Sequence, residues 1–80
     1  MVDRLLGKKV IGIKQSVKSL RSGVGKVLYV ASDAQGELVR PVIELATTMN
    51  VEVKYVDSMR ELGKLCGIDV GAAVTLLIHE

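Results

Sequence analysis

Lys26-Val27-Leu28-Tyr29-Val30-Ala31-Ser32-Asp33-Ala34-Gln35-Gly36 is the stretch from which the architecture can be read. Its first six residues form a nearly continuous apolar run of strand length, which predicts a strand covered on both faces at its middle. Ser32 to Gly36 carries turn chemistry, and a helical pattern follows at Leu38, Val42, Leu45, Ala46 and Met49. Pro41 lacks a backbone N–H and clashes with the carbonyl four residues back, so this helix either starts at Pro41 or is kinked there.

The same alternation extends in both directions. Upstream, Val10 and Ile11 read as a brief strand stopping at Gly12, and from Ile13 the apolar period changes from two to 3.6. Ile13, Val17, Leu20 and Val24 then fall on one stripe, and Gly23 and Gly25 end the helix. Residues 3–7 are expected to form a short first helix. Downstream, Val51 to Val56 alternates like a half-exposed strand, and Ser58-Met59-Arg60-Glu61 fits a capping box at a helix start. Met59, Leu62, Leu65 and Cys66 give that helix an inner face, Gly67 is a plausible left-handed stop, and Ala72 to Ile78 is a last strand. The expected fold is a three-layer α/β/α sandwich around a small mixed four-stranded sheet, one domain over residues 1–80.

The composition fits such a core: Val, Leu, Ile and Ala dominate, Phe and Trp are absent, and the aromatics are Tyr29 and Tyr55. One Cys and one His cannot supply the three or four ligands of a zinc site, and no internal disulfide is possible. No apolar run reaches the roughly 18 to 20 residues of a membrane span, so a cytoplasmic protein without membrane partners is expected. The net charge of +2 hides a polarity. Residues 1–26 carry seven Lys or Arg against Asp3, whereas residues 27–80 carry four bases against eight acids. A basic block of this kind suits a polyanionic partner.

The sequence offers no catalytic constellation. Gly23-Val24-Gly25-Lys26 departs from a P-loop both in residues and in order, since Leu20 and Val27 stand where Gly and Ser or Thr are needed. Cys66 lies on an inner helix face as a small hydrophobe, His79 has no partner set for a triad, and the acids are scattered. No enzyme, cofactor, metal or small-molecule substrate is expected. Along the first helix of the sandwich, however, Lys14, Lys18 and Arg21 form a second stripe beside the apolar one, with Ser16 and Ser19 on a third side. Gln15 adds a donor and an acceptor in the first turn. Lys18 and Arg21 can neutralise phosphates while Lys14 and Gln15 reach base edges, and the scarcity of aromatics argues against readers that stack single strands. Gly12 reads as a point of close approach between the anchored and the outward faces. The competing reading is a solvated helix face with incidental lysines.

Three stretches carry a further resemblance. Gly12-Ile13-Lys14-Gln15-Ser16-Val17-Lys18 is similar to a Gly-x-Asn-Glu-x-x-Lys signature, Val30-Ala31-Ser32-Asp33-Ala34 to a Val-Ala-x-Asp-Ala turn, and residues 56–73 to a Ser-Lys-x-x-Leu-Gly-x-Ala-x-Gly segment. In this order and spacing they resemble the ribosomal protein L7Ae family of kink-turn RNA-binding proteins, most nearly its short bacterial members, over practically the whole chain. The resemblance implies recognition of an RNA duplex bent at a three-nucleotide bulge beside tandem sheared G·A pairs, in ribosomal or riboswitch-like regulatory RNA. It gives Lys14, Gln15 and Lys18 the contacts to guanines and phosphates, Ile68, Asp69 and Val70 the flipped-out bulge nucleotide, and Gln35 and Leu38 a place beside the same base. Lys14 and Gln15 replace the wider family's Asn and Glu, and Met59 stands where many archaeal and eukaryotic relatives carry Lys. A monomer is expected. Some proteins of this fold are protein-interaction adaptors, which makes an acidic protein surface the alternative partner for the basic stripe.

Overall fold

The computed structural model describes residues 7–79. The expected helix at residues 3–7 thus lies, except for Gly7, outside the described residues. The elements in chain order are β1 (Lys9–Ile11), α1 (Ile13–Arg21), β2 (Gly25–Ala31), α2 (Gly36–Thr48), β3 (Glu52–Val56), α3 (Met59–Cys66) and β4 (Val74–Ile78). They form a mixed four-stranded sheet of order β1-β4-β2-β3, in which β4 runs antiparallel to both neighbours and β3 pairs parallel with β2.

Strand alternation divides the core into two. Leu28, Val30, Val74 and Leu76 face one side and meet Leu20 of α1 with Val39, Val42 and Ala46 of α2. Ala31, with Ile11, Tyr29 and Val56 beside it, faces the other side and meets Leu62 of α3. Helices therefore cover both faces of the sheet, as the three-layer expectation requires. Beneath α3, the half-buried Cys66 thiol lies 3.0 Å from the hydroxyl of fully buried Thr75. Cys66 is thus more than the small hydrophobe expected, because it gives a buried polar group its partner.

Three local expectations are corrected. Helix α2 begins at Gly36 and contains Pro41 rather than starting at it. The carbonyl that Pro41 cannot serve belongs to Glu37, an exposed residue, so water can satisfy it at little cost. Helix α1 stops at Arg21, with Ser22 as its C-cap and Gly23 at φ 77°, so Val24 lies beyond the helix. Ser16 is fully buried and joins the apolar arc of Ile13, Val17 and Leu20.

Candidate nucleic-acid interface

The pairing directions decide where the loops meet. Strands β1 and β2 both oppose β4, and β3 runs with β2, so β1, β2 and β3 point the same way. Each of these three strands leads into a helix, which brings the starts of α1, α2 and α3 to the carboxyl end of the sheet. The connection into β4 arrives at the same end. Lys14 and Gln15, the turn around Gln35, and residues 68–70 are thereby gathered at one pole, although more than fifty residues separate the first from the last.

Main-chain hydrogen bonds fix the assembly. The Gly12 N–H donates to the Val74 carbonyl at 3.0 Å, and the Ala31 N–H donates to the Ala73 carbonyl at 2.9 Å. These bonds hold the entries to α1 and to the turn after β2 against the start of β4. Gly12 adopts φ 103° and ψ 160°, a conformation open to glycine and strained for other residues. A Cβ there would meet no atom within 4 Å. Conformation, and not an internal close approach, is what requires this glycine, and the space outside its Cα is left open.

Lys14, Gln15, Lys18 and Arg21 are all exposed, and Ile13, Val17, Ser16 and Leu20 pin the other side of α1. No side chain caps α1, and its first turn contains no acid, so the positive end of the helix dipole is not offset locally. Gln35 is the exposed N-cap of α2, and Leu38 in the first turn is 53% exposed while its neighbour Val39 takes the buried position.

The loop before β4 is built against α3. A Cβ on Gly63 would collide with the carbonyl oxygen of Val70, so only glycine lets the loop lie on the helix. The Ile68 N–H donates to the Gly63 carbonyl and the Ala72 N–H to the Met59 carbonyl, each at 3.0 Å. Ile68 turns inward toward the second core cluster, Asp69 is exposed, and Val70 presents its side chain outward at 69% exposure. Met59 adds partly exposed apolar surface at the start of α3.

Asp33 is a residue whose task the sequence reading did not assign. Its Oδ1 accepts the Met59 N–H at 2.7 Å, tying the turn after β2 to the start of α3. The half of the capping box contributed by Ser58 is present, its hydroxyl accepting the Glu61 N–H at 3.0 Å. The signal for Asp33 was its place in a turn before a helix, but a partner 26 residues away cannot be read from local pattern. Gly63 had a clearer signal, being a glycine inside a helical pattern, where a packing reason is to be sought.

Comparisons with known proteins bear on the family and the fold. The sequence model of the Ribosomal protein L7Ae/L30e/S12e/Gadd45 family matches residues 5–80. The chain is 46% identical over 73 residues to an RNA-binding protein of Geobacillus sp. (strain WCH70), covering 91% of this chain and 89% of that protein. It is 31% identical over 78 residues to the large ribosomal subunit protein eL8 of Halobacterium salinarum, covering 96% of this chain and 65% of the relative. Among solved structures, the Giardia lamblia 15.5kD RNA binding protein superposes with a TM-score of 0.84 over 90% of this chain and 61% of that one, at 20% identity, a likeness of fold.

Proposed function

The chain belongs to the Ribosomal protein L7Ae/L30e/S12e/Gadd45 family, and from that premise we propose that it binds folded RNA at the carboxyl end of its sheet, selecting the kink-turn. One observation carries the reading. Exposed Lys14 and Gln15 stand on an uncapped helix start at the same pole as the outward-facing Val70. The names of relatives that are RNA-binding or ribosomal proteins support the same partner class.

In the proposed complex Lys14 donates to guanine O6 and N7 at the sheared pairs, and Gln15 both donates and accepts beside it. Lys18 and Arg21 hold phosphates, which position the RNA without reading its sequence. The open face of Gly12 lets the RNA come up to the backbone. Val70, with Asp69 and the half-buried Ile68 beneath it, packs on the flipped-out nucleotide of the bulge, and Gln35 and Leu38 flank that base. No bond is made or broken. The protein acts by preferring the bent RNA over the extended one, and the shift it imposes equals that difference in affinity.

The deciding measurement is equilibrium binding to an RNA with an intact kink-turn and to one whose sheared G·A pairs are replaced by Watson–Crick pairs. Tighter binding to the first by tenfold or more is expected. Equal affinities would defeat the kink-turn reading and leave the basic helix face to an acidic protein partner.

A further inference from the structure

Charge is distributed unevenly between the two ends of the sheet. At the carboxyl end, where the RNA site is proposed, the acids Asp33, Glu37, Asp57, Glu61 and Asp69, mostly around the starts of α2 and α3, outnumber the bases Lys14 and Arg60. Acids there suit the helix dipoles but do nothing to attract a phosphate backbone. The amino end is different. Lys8 precedes β1, Lys26 lies at the start of β2, and Arg21 closes α1.

Hydrogen bonds hold these three bases around the same pole. The Lys8 carbonyl accepts from the Ile78 N–H at 3.0 Å, and Ile78 in turn pairs with Gly25, the neighbour of Lys26. The His79 N–H donates to the Val24 carbonyl at 2.8 Å, and the Val24 N–H to the Ser19 carbonyl at 3.3 Å, which joins the end of α1 to the same edge. A register shift between Gly25 and Val27 takes Lys26 out of regular strand pairing, and its side chain is exposed, as are those of Lys8 and Arg21. Glu44 and Glu52 are the described carboxylates toward this end, Glu44 on the solvent side of α2 and Glu52 on edge strand β3, paired with Val27 beside Lys26. Between the two poles, Lys14, Lys18 and Arg21 form a continuous track down α1, roughly 10 Å from first to last at 1.5 Å per residue.

We propose that Lys8, Arg21 and Lys26 form a second phosphate-binding cluster, reached by the duplex stem that flanks the kink as it runs along α1 from the site toward the amino end. The proposal rests on the RNA reading above and extends it from a bend to a bend with a stem of defined direction. A stem long enough to pass Arg21 meets the positive end of the molecule. A shorter one ends before it.

The test uses the full chain, a Lys8→Gln/Lys26→Gln double variant, and two RNAs with the same kink-turn but with long or truncated flanking stems. Both substitutions are at exposed positions outside the proposed base-reading residues. With the long stem, the double variant is expected to bind about tenfold more weakly near physiological salt, and its log–log salt slope to flatten by about 1.5, the loss of two phosphate contacts. With the truncated stem, variant and parent are expected to bind alike. Equal binding of variant and parent to the long-stem RNA, or equal losses on both RNAs, overturns the cluster while leaving the kink-turn reading standing. If the parent itself fails to distinguish the kink-turn from its Watson–Crick control, both readings fall.

Discussion

Helices α1 and α3 start at the same end of the same sheet, yet their first turns are finished in opposite ways. In α3 the Ser58 hydroxyl and the Asp33 carboxylate accept backbone N–H groups, Glu61 offsets the helix dipole, and Gly63 lets the following loop lie against the helix. In α1 the N-cap is Gly12, no side chain accepts from the first turn, and the charge nearest the helix start is Lys14. A cation at that position opposes the helix dipole by about 0.3 to 1 kcal/mol. The contrast teaches that the start of α3 is completed by the protein's own groups, whereas that of α1 has no side-chain cap and no acid in its first turn.

The strongest way to break this contrast is Gly63→Ala, because the added methyl meets the backbone of Val70. We expect about 3 kcal/mol of lost stability in denaturant titration, with weaker kink-turn binding as the Val70 loop is displaced. Unchanged stability would mean that the loop slides freely and α3 is not closed by it. Asp33→Ala removes the acceptor of the Met59 N–H and should cost about 1 to 2 kcal/mol, near the upper range of helix caps. If only RNA affinity falls and the unfolding midpoint holds, Asp33 belongs to the ligand and not to α3.

Val70→Asp sharpens the comparison from the other side. At this exposed position stability should change by less than about 0.5 kcal/mol, while affinity for a kink-turn RNA drops about tenfold, or about 1.4 kcal/mol. Loss of folded protein would instead make Val70 a core residue. Lys18→Ala should leave the fold intact and flatten the salt dependence of RNA binding by about 0.7 to 0.9, one phosphate contact; an unaltered slope removes Lys18 from the interface. The change in stability most diagnostic in sign is that of Lys14→Glu. Thermal unfolding should show a gain of about 0.3 to 1 kcal/mol, since an acid suits a helix start, even as RNA binding is lost. A destabilised variant would show that α1 needs Lys14 for itself.

Much of the fold was legible because its signals are local. The apolar run of β2, the change of period after Gly12 and the Ser58 cap each depend on residues within a few positions of one another. The start of α2 was less so, because the rule against proline in helices holds only when the freed carbonyl is hard to satisfy, and that of Glu37 is exposed. Ser16 was misplaced for a related reason: helical spacing assigns an angle, and the width of the buried arc depends on which neighbours press against the helix. In the candidate site, the outward positions of Lys14, Gln15 and Lys18 followed from periodicity. The bond from Asp33 to Met59, the inward turn of Ile68 and the second basic pole did not, because strand order and long-range pairing create them.

The position of β4 has a consequence for how the molecule is made. It is the latest strand in chain order, yet it lies between β1 and β2, which do not pair with each other. During vectorial synthesis β2 can pair with β3 first, but β1 has no strand to join until β4 emerges some sixty residues after it. The same late strand accepts the Gly12 amide through Val74, while Ala73 just before it accepts that of Ala31. Nascent chains lacking it would have neither a closed sheet nor a fixed entry to α1. Closure of the sheet and fixing of the entry to α1 are then one event in time, set by the emergence of β4.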